Sequence, residues 1–305
     1  MVKHLKREFH TNIPGAISQL ESAMNKFMIR RILWKIIFRG KGLEFDAYRD
    51  YSPDEDAQNI DWKASARANK LLAKQYIEER DLNIIFVVDV SDSMVFGSTP
   101  QLKCEYAAEV ASAIAHLIIN SGDRVGFVLY NDHILHQVKA KAGKNQFFLF
   151  NSFLTKPENY GGKSDLKSVL EHLLQQFDTS ISAVFLISDF LHVDKSYEKI
   201  LKNFAARFES VAVMVRDPLD LRLPQVNTEV VLEDSGTGRQ MVVNPKLIRD
   251  QYESYAFQQE RLVRKLFTDS GADFIDLYTD KLFAPRMAAF LRHRIEKKEY
   301  IVPRR

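Results

Sequence analysis

From Asn83 onward, short apolar runs alternate with stretches whose apolar residues recur at helical spacing. The run Ile84 to Val88 is rich in β-branched residues and reads as a strand covered on both faces. Ala183 to Ser188 has the same character, and Arg124 to Tyr130, Val211 to Val215 and Phe274 to Leu277 are further strands. Ile134 to Val138 follows Tyr130 after Asn131 and Asp132, a tight turn that predicts an antiparallel pair. Between the strands, helices are predicted over 100–121, 145–153, 166–177, 195–208, 244–268 and 282–298. In the first of these, Ala107, Ala108, Ala111, Ile114, Ala115 and Ile118 form a small-residue face suited to close packing on a sheet. Val230 to Leu232 and Gln240 to Val243 read as a hairpin about Gly236 and Gly238. Such alternation predicts an α/β domain with a mostly parallel central sheet and helices on both faces. Its expected extent is 81–298, with the hairpin inserted near 229–243 and a tail over 299–305.

Residues 1–80 lack this rhythm and are expected to form an accessory segment of helix and strand. Leu43 to Tyr51 has the alternating, aromatic look of a strand, Ser52 to Asp56 is a turn, and Leu71 to Ile77 is extended. Arg49, Tyr51, Asp61, Trp62 and Arg67 gather aromatic and charged side chains here. They are candidates for partner binding, although docking contacts within the same protein use the same residue types. Phe27 to Phe38 is amphipathic and carries Arg30, Arg31 and Lys35. A spanning helix needs about twenty apolar residues, so this stretch is too short to cross a bilayer. Packing on the domain or on a partner is expected, with contact to an anionic membrane surface as the rival.

Composition narrows the class. The 305 residues are 46% hydrophobic and 27% charged, enough for one core and an accessory region. The net charge of +3 does not suggest nucleic-acid binding, although the first forty residues carry eight Lys or Arg against Glu8 and Glu21. The single cysteine, Cys104, excludes an internal disulfide and suits a reducing, cytoplasmic setting. No secretory leader is recognisable at the N-terminus.

The chemistry concentrates at the ends of two strands. Asp89 closes the first, and Ser91 and Ser93 follow at alternate positions, so one carboxylate and two hydroxyls can converge beyond the sheet. Asp189 closes the strand ending at Ser188. Between them lies the loop Asn159 to Asp165, NYGGKSD, whose glycine pair allows close backbone approach and whose Ser164 or Asp165 starts a helix. Hard oxygen donors on loops suit Mg²⁺ or Mn²⁺. Caps and turns explain each motif taken singly. The loop lacks the G-x-x-x-x-G-K-[ST] spacing of a nucleoside triphosphate site. His133 and His136 stand three apart on a strand, hence on opposite faces, and do not make a metal pair.

Asp89-Val-Ser91-Asp-Ser93, Ser164 after Gly161-Gly162, and Ser188-Asp189 resemble the metal-ion-dependent adhesion site of von Willebrand factor A domains. Ser164 takes the place of that motif's usual threonine, with Lys163 inserted after the glycines. More narrowly, GLEFDAYRDY, NIDWKASAR, the EER before the first strand, Asp217-Pro218, Leu223-Pro224 and EDSGTG resemble domain-of-unknown-function family 58. The resemblance implies a Rossmann-like von Willebrand factor A fold, a metal held by Asp89, Ser91, Ser93, Ser164 and Asp189, and no firmly attached enzymatic activity. It also implies association with MoxR-type AAA+ ATPases in assembling or remodelling other proteins. The expected function is therefore a metal-dependent adaptor whose client offers a carboxylate, with no nucleic acid involved.

Two rivals remain. A Mg²⁺-dependent phosphohydrolase would use Asp89 as nucleophile, but the haloacid-dehalogenase type needs a carboxylate two residues later, where Ser91 stands. A nucleic-acid binder would use the basic N-terminal arm and show steep salt dependence.

Overall fold

Strand propensity and two-sided burial place Asn83–Asp89 at the middle of the protein. The computed structural model describes residues 9–24, 44–51, 60–77, 82–233 and 240–299. These fall into two compact units, one with 44–51 and 60–77 and one with the remainder.

In the larger unit, α1 (Ile13–Ala23) precedes the alternating region. That region runs β3 (Asn83–Asp89), α3 (Lys103–Asn120), β4 (Arg124–Tyr130), β5 (Ile134–Lys141), α4 (Lys144–Leu154), α5 (Leu166–Gln176) and β6 (Ile181–Ser188). It continues through α6 (Glu198–Arg207), β7 (Glu209–Arg216), β8 (Val230–Glu233), β9 (Gln240–Val243), α7 (Pro245–Asp269), β10 (Asp273–Tyr278) and α8 (Phe283–Glu299). Six strands form one sheet in the order β10-β7-β6-β3-β4-β5, parallel except for β5 at the edge. The chain builds outward from β3 through β4 to β5, then returns to β3's other side with β6. The strand order thus reverses between β3 and β6, and a ligand crevice forms beyond the carboxyl ends at such a point.

Period-two alternation divides the core. Ile84, Phe86 and Val88 face α1, α3, α4 and α8, whereas Ile85 and Val87 face α5, α6 and α7. Phe86 stacks on Phe185 of β6 with ring centroids 5.1 Å apart, locking the two central strands on one face. The β8–β9 pair forms the expected antiparallel hairpin, while its turn over 234–239 lies outside the described residues. So do Phe27 to Phe38 and the tail from 300.

Two expectations are revised. The accessory segment does not extend over 1–80, because α1 belongs to the core of the larger unit: Ala16, Leu20 and Met24 are buried with residues of α3 and α8. Its entry is tied by the His10 amide donating to Glu105 Oε1 (2.6 Å) and capped by Asn12, whose Oδ1 accepts from the Gly15 amide. The first long helix begins at Lys103 rather than at 100, since the Glu105 carboxylate accepts from the Leu102 amide (2.8 Å) and fixes the start there.

The smaller unit pairs β1 (Glu44–Asp50) antiparallel with β2 (Leu72–Ile77), with α2 (Trp62–Ala68) between them in sequence. Asp61 caps α2 through the Lys63 and Ala64 amides and accepts from the Tyr48 hydroxyl (3.0 Å).

Since Leu20 is fully enclosed, Leu20→Ala should cost about 2–5 kcal/mol in urea unfolding of the full chain. An unchanged midpoint would show that α1 is an undocked arm.

Candidate metal centre

Three segments meet beyond the sheet. The first leaves β3 at Asp89, whose side chain is wholly buried. Its Oδ1 accepts from the Ser91 amide (2.9 Å), an Asx-type turn that brings Ser91 and Ser93 back towards the strand end. Their hydroxyl oxygens lie 3.2 Å apart, and Asp92 to Met94 forms one 3₁₀ turn.

The second segment is the glycine loop. The Gly161 amide donates to the Val90 carbonyl, the Asp92 amide to the Gly162 carbonyl, and Asn131 Nδ2 to the Gly161 carbonyl, at 2.8 to 2.9 Å. Gly162 has φ +84°, and a Cβ there would stand 2.7 Å from Asn131 Nδ2, so both backbone conformation and space demand glycine. This stitching delivers Ser164, whose hydroxyl donates to Asp89 Oδ2 at 2.9 Å. Asp165 instead caps α5 through the Ser168 amide. Of the two residues open in the sequence, Ser164 is therefore the one facing Asp89.

The third segment leaves β6. The Ser188 hydroxyl donates to Asp89 Oδ2 (2.7 Å) and accepts from the Phe190 amide (3.0 Å). Phe190 adopts φ +50°, uncommon without glycine, and is held by its buried ring against Phe267. Asp189 turns away from the hydroxyls. Its Oδ2 takes the Lys103 ammonium at 2.8 Å, and its Oδ1 accepts from the Leu191 amide. Lys103 Nζ also meets the Asp220 carboxylate at 3.0 Å, and both Lys103 and Asp189 are only 1% exposed.

The two strand-end acids thus live in opposite electrostatic settings. Asp89 receives only neutral donors, and among the described residues no ammonium or guanidinium pairs with it. Burial, followed by the neighbouring Asp189 charge, pushes its pKa up despite the bonds from Ser91 and Ser188. Burial also disfavours charge on Asp189, but Lys103 and the nearby Arg216 more than offset this and hold its pKa below the usual range. Asp220, flanking the same lysine, is pushed up by burial and by Asp189.

Sequence reasoning missed Lys103, Arg216 and Asp220, and singled out Asp217 only within the Asp217-Pro218 motif of the family resemblance. Asp217 is fully buried, with Ser98, Leu219 and Thr279 donating to it. A signal existed for the lysine: residue 103 precedes Ala107 and Ala111 at four-residue spacing, so it continues the small-residue face that packs on the sheet. Arg49, Tyr51, Asp61, Trp62 and Arg67 all belong to the smaller unit. There Asp61 has the capping role already described, and Trp62 is 66% exposed on the first turn of α2. Arg67 is exposed in the last turn of that helix, Tyr51 donates its amide to the Leu71 carbonyl, and the Arg49 side chain lies outside the described residues.

The donor set fits a small hard cation. Metal–oxygen distances of about 2.1 Å in an octahedron put neighbouring ligand oxygens roughly 3 Å apart. The Asp89–Ser164 and Ser91–Ser93 separations of 2.9 and 3.2 Å match that edge. The buried Tyr130 hydroxyl, across from Asp89 in register on β4, has no hydrogen-bond partner among the described residues. Among the described residues no three His, Cys, Asp or Glu side chains cluster as a metal-binding group, so any ion here would rest mainly on hydroxyls and water.

This architecture is an α/β domain with a mostly parallel six-stranded sheet covered by helices on both faces. The chain belongs to the family described as Protein of unknown function DUF58, whose model matches residues 47–262. It is 31% identical to Uncharacterized protein Rv1480 of Mycobacterium tuberculosis over 258 residues, 84% of this chain and 80% of that one. Among solved structures it is similar to the conserved hypothetical protein BatB from Bacteroides thetaiotaomicron, with TM-score 0.48 and 14% identity, covering 70% of this chain and 99% of that one. A von Willebrand factor type A structure from Catenulispora acidiphila gives TM-score 0.42 and 12% identity, over 74% of this chain and 45% of that one.

In metal-free buffer at neutral pH, Asp89→Asn should be more stable than wild type by on the order of 1 kcal/mol, because the serine hydroxyls can accept from the new amide and a buried charge is gone. The raised carboxyl costs stability above its folded pKa, and that cost vanishes as acidification protonates it. The difference between the two proteins should therefore close as pH falls. Chemical denaturation of both across pH checks this, and a less stable Asn variant at neutral pH contradicts it.

Proposed function

We propose that the protein is a metal-dependent adaptor that binds a carboxylate of another protein. Asp89, Ser91, Ser93 and Ser164 would hold Mg²⁺ or Mn²⁺, with Asp189 contributing negative charge from behind. The carrying observation is the fully buried Asp89, surrounded by hydroxyls and lacking a cation partner among the described residues. Neutral hydroxyls neutralise no charge, so the cation would remain electron-poor and able to accept an Asp or Glu side chain from a partner. The residues' own task is to fix the oxygen positions: the Gly161-Gly162 stitching holds Ser164, and the Ser91 amide orients Asp89.

The family resemblance supports a MoxR-type AAA+ ATPase as one partner, with a client protein supplying the carboxylate, in the cytoplasm. No helix among the described residues is long and apolar enough to cross a membrane. The smaller unit, with its exposed Trp62 and Arg67, offers a second contact region for that assembly.

Purified wild type and Asp89→Ala should be compared for binding to a purified MoxR-type ATPase from the same organism, with Mg²⁺ and with EDTA. Binding is expected only for wild type with Mg²⁺. Equal binding in all four conditions would remove the metal from the interface, and phosphate release from generic phosphoesters would favour the hydrolase reading instead. Mg²⁺ at about one hundred times its Kd should also stabilise wild type by about 2.7 kcal/mol and leave Asp89→Ala unchanged.

A further inference from the structure

We infer that Lys103 sets the charge of the metal site, and with it cation affinity, by holding Asp189 out of the coordination sphere. This rests on the reading of Asp89, Ser91, Ser93 and Ser164 as metal donors. A lysine as the first residue of α3 faces the positive end of the helix dipole, and burial to 1% exposure removes its hydration. A methionine of similar length would fill that space without either cost. The ammonium persists against both penalties, engaged by Asp189 at 2.8 Å and Asp220 at 3.0 Å, with the Phe96 ring centroid 5.6 Å away.

Asp189 follows Ser188 at the end of β6, the direct neighbour of β3, and its charge acts on the Asp89 carboxyl across the two strand ends. Freed from Lys103, its Oδ2 would offer a second carboxylate to the cation. Two carboxylates would bind the metal tightly and leave it with little residual charge for an incoming acid. With Lys103 in place the site keeps one carboxylate and three hydroxyls, which favours a weakly held, strongly electrophilic ion. Asp220 acts in the opposite sense to Lys103, since it partly neutralises the ammonium. The two residues therefore make predictions of opposite sign, whereas a purely structural role would make both substitutions act alike.

Mn²⁺ binding to the full chain, followed by electron paramagnetic resonance, tests this. Lys103→Met should bind Mn²⁺ at least about tenfold more tightly than wild type, and Asp220→Asn several-fold more weakly. If Lys103→Met does not fold, Lys103→Gln takes its place with the same expected direction. Unchanged affinity, or weakening by both substitutions, overturns the inference. Wild type that takes up no Mn²⁺, or binding that survives Asp89→Asn, would instead strike the reading of the site itself.

Discussion

The structure turns on where a single buried negative charge finds compensation. Asp89 sits at the end of the central strand with three neutral donors around its carboxylate. Asp189, one strand away, has an ammonium of its own. Desolvation penalises both carboxylates, but among the described residues only Asp189 has recovered an opposite charge. A fold that leaves Asp89 in this state accepts a stability cost at the point where the strand order reverses, which is where such folds bind ligands.

Packing makes this asymmetry rigid. The two faces of β3 are covered by separate helical layers, so the strand end has little freedom, and the Phe86–Phe185 stack keeps β3 and β6 in register. The glycine loop is joined to Val90, Asp92 and Asn131 by backbone bonds, so Ser164 is placed by main chain rather than by a flexible side chain. Preorganised oxygens of this kind save the ordering entropy that a loose set would lose on binding an ion.

Much of this was legible from the pattern of residues. Ile84 to Val88 and Ala183 to Ser188 announce buried parallel strands because apolar residues cover both faces, and the acids at their ends follow from where those runs stop. Ser164 could not be separated from Asp165 in the sequence, since either can cap a helix. Only the path of the Gly161-Gly162 backbone decides it. Lys103 escaped notice because helix-starting lysines are ordinarily solvated, and its partners lie 86 and 117 residues away, on loops after β6 and β7. The helix α1 was missed for a similar reason: its burial depends on a face of α3 and α8 that no local periodicity reveals.

Crystals of the full chain soaked in Mn²⁺ and measured at the manganese edge would test the metal centre directly. An anomalous peak bounded by Asp89, Ser91, Ser93 and Ser164, with Asp189 still on Lys103, is the predicted result. Fully soaked crystals with no peak there, or with manganese bound only elsewhere, would contradict it.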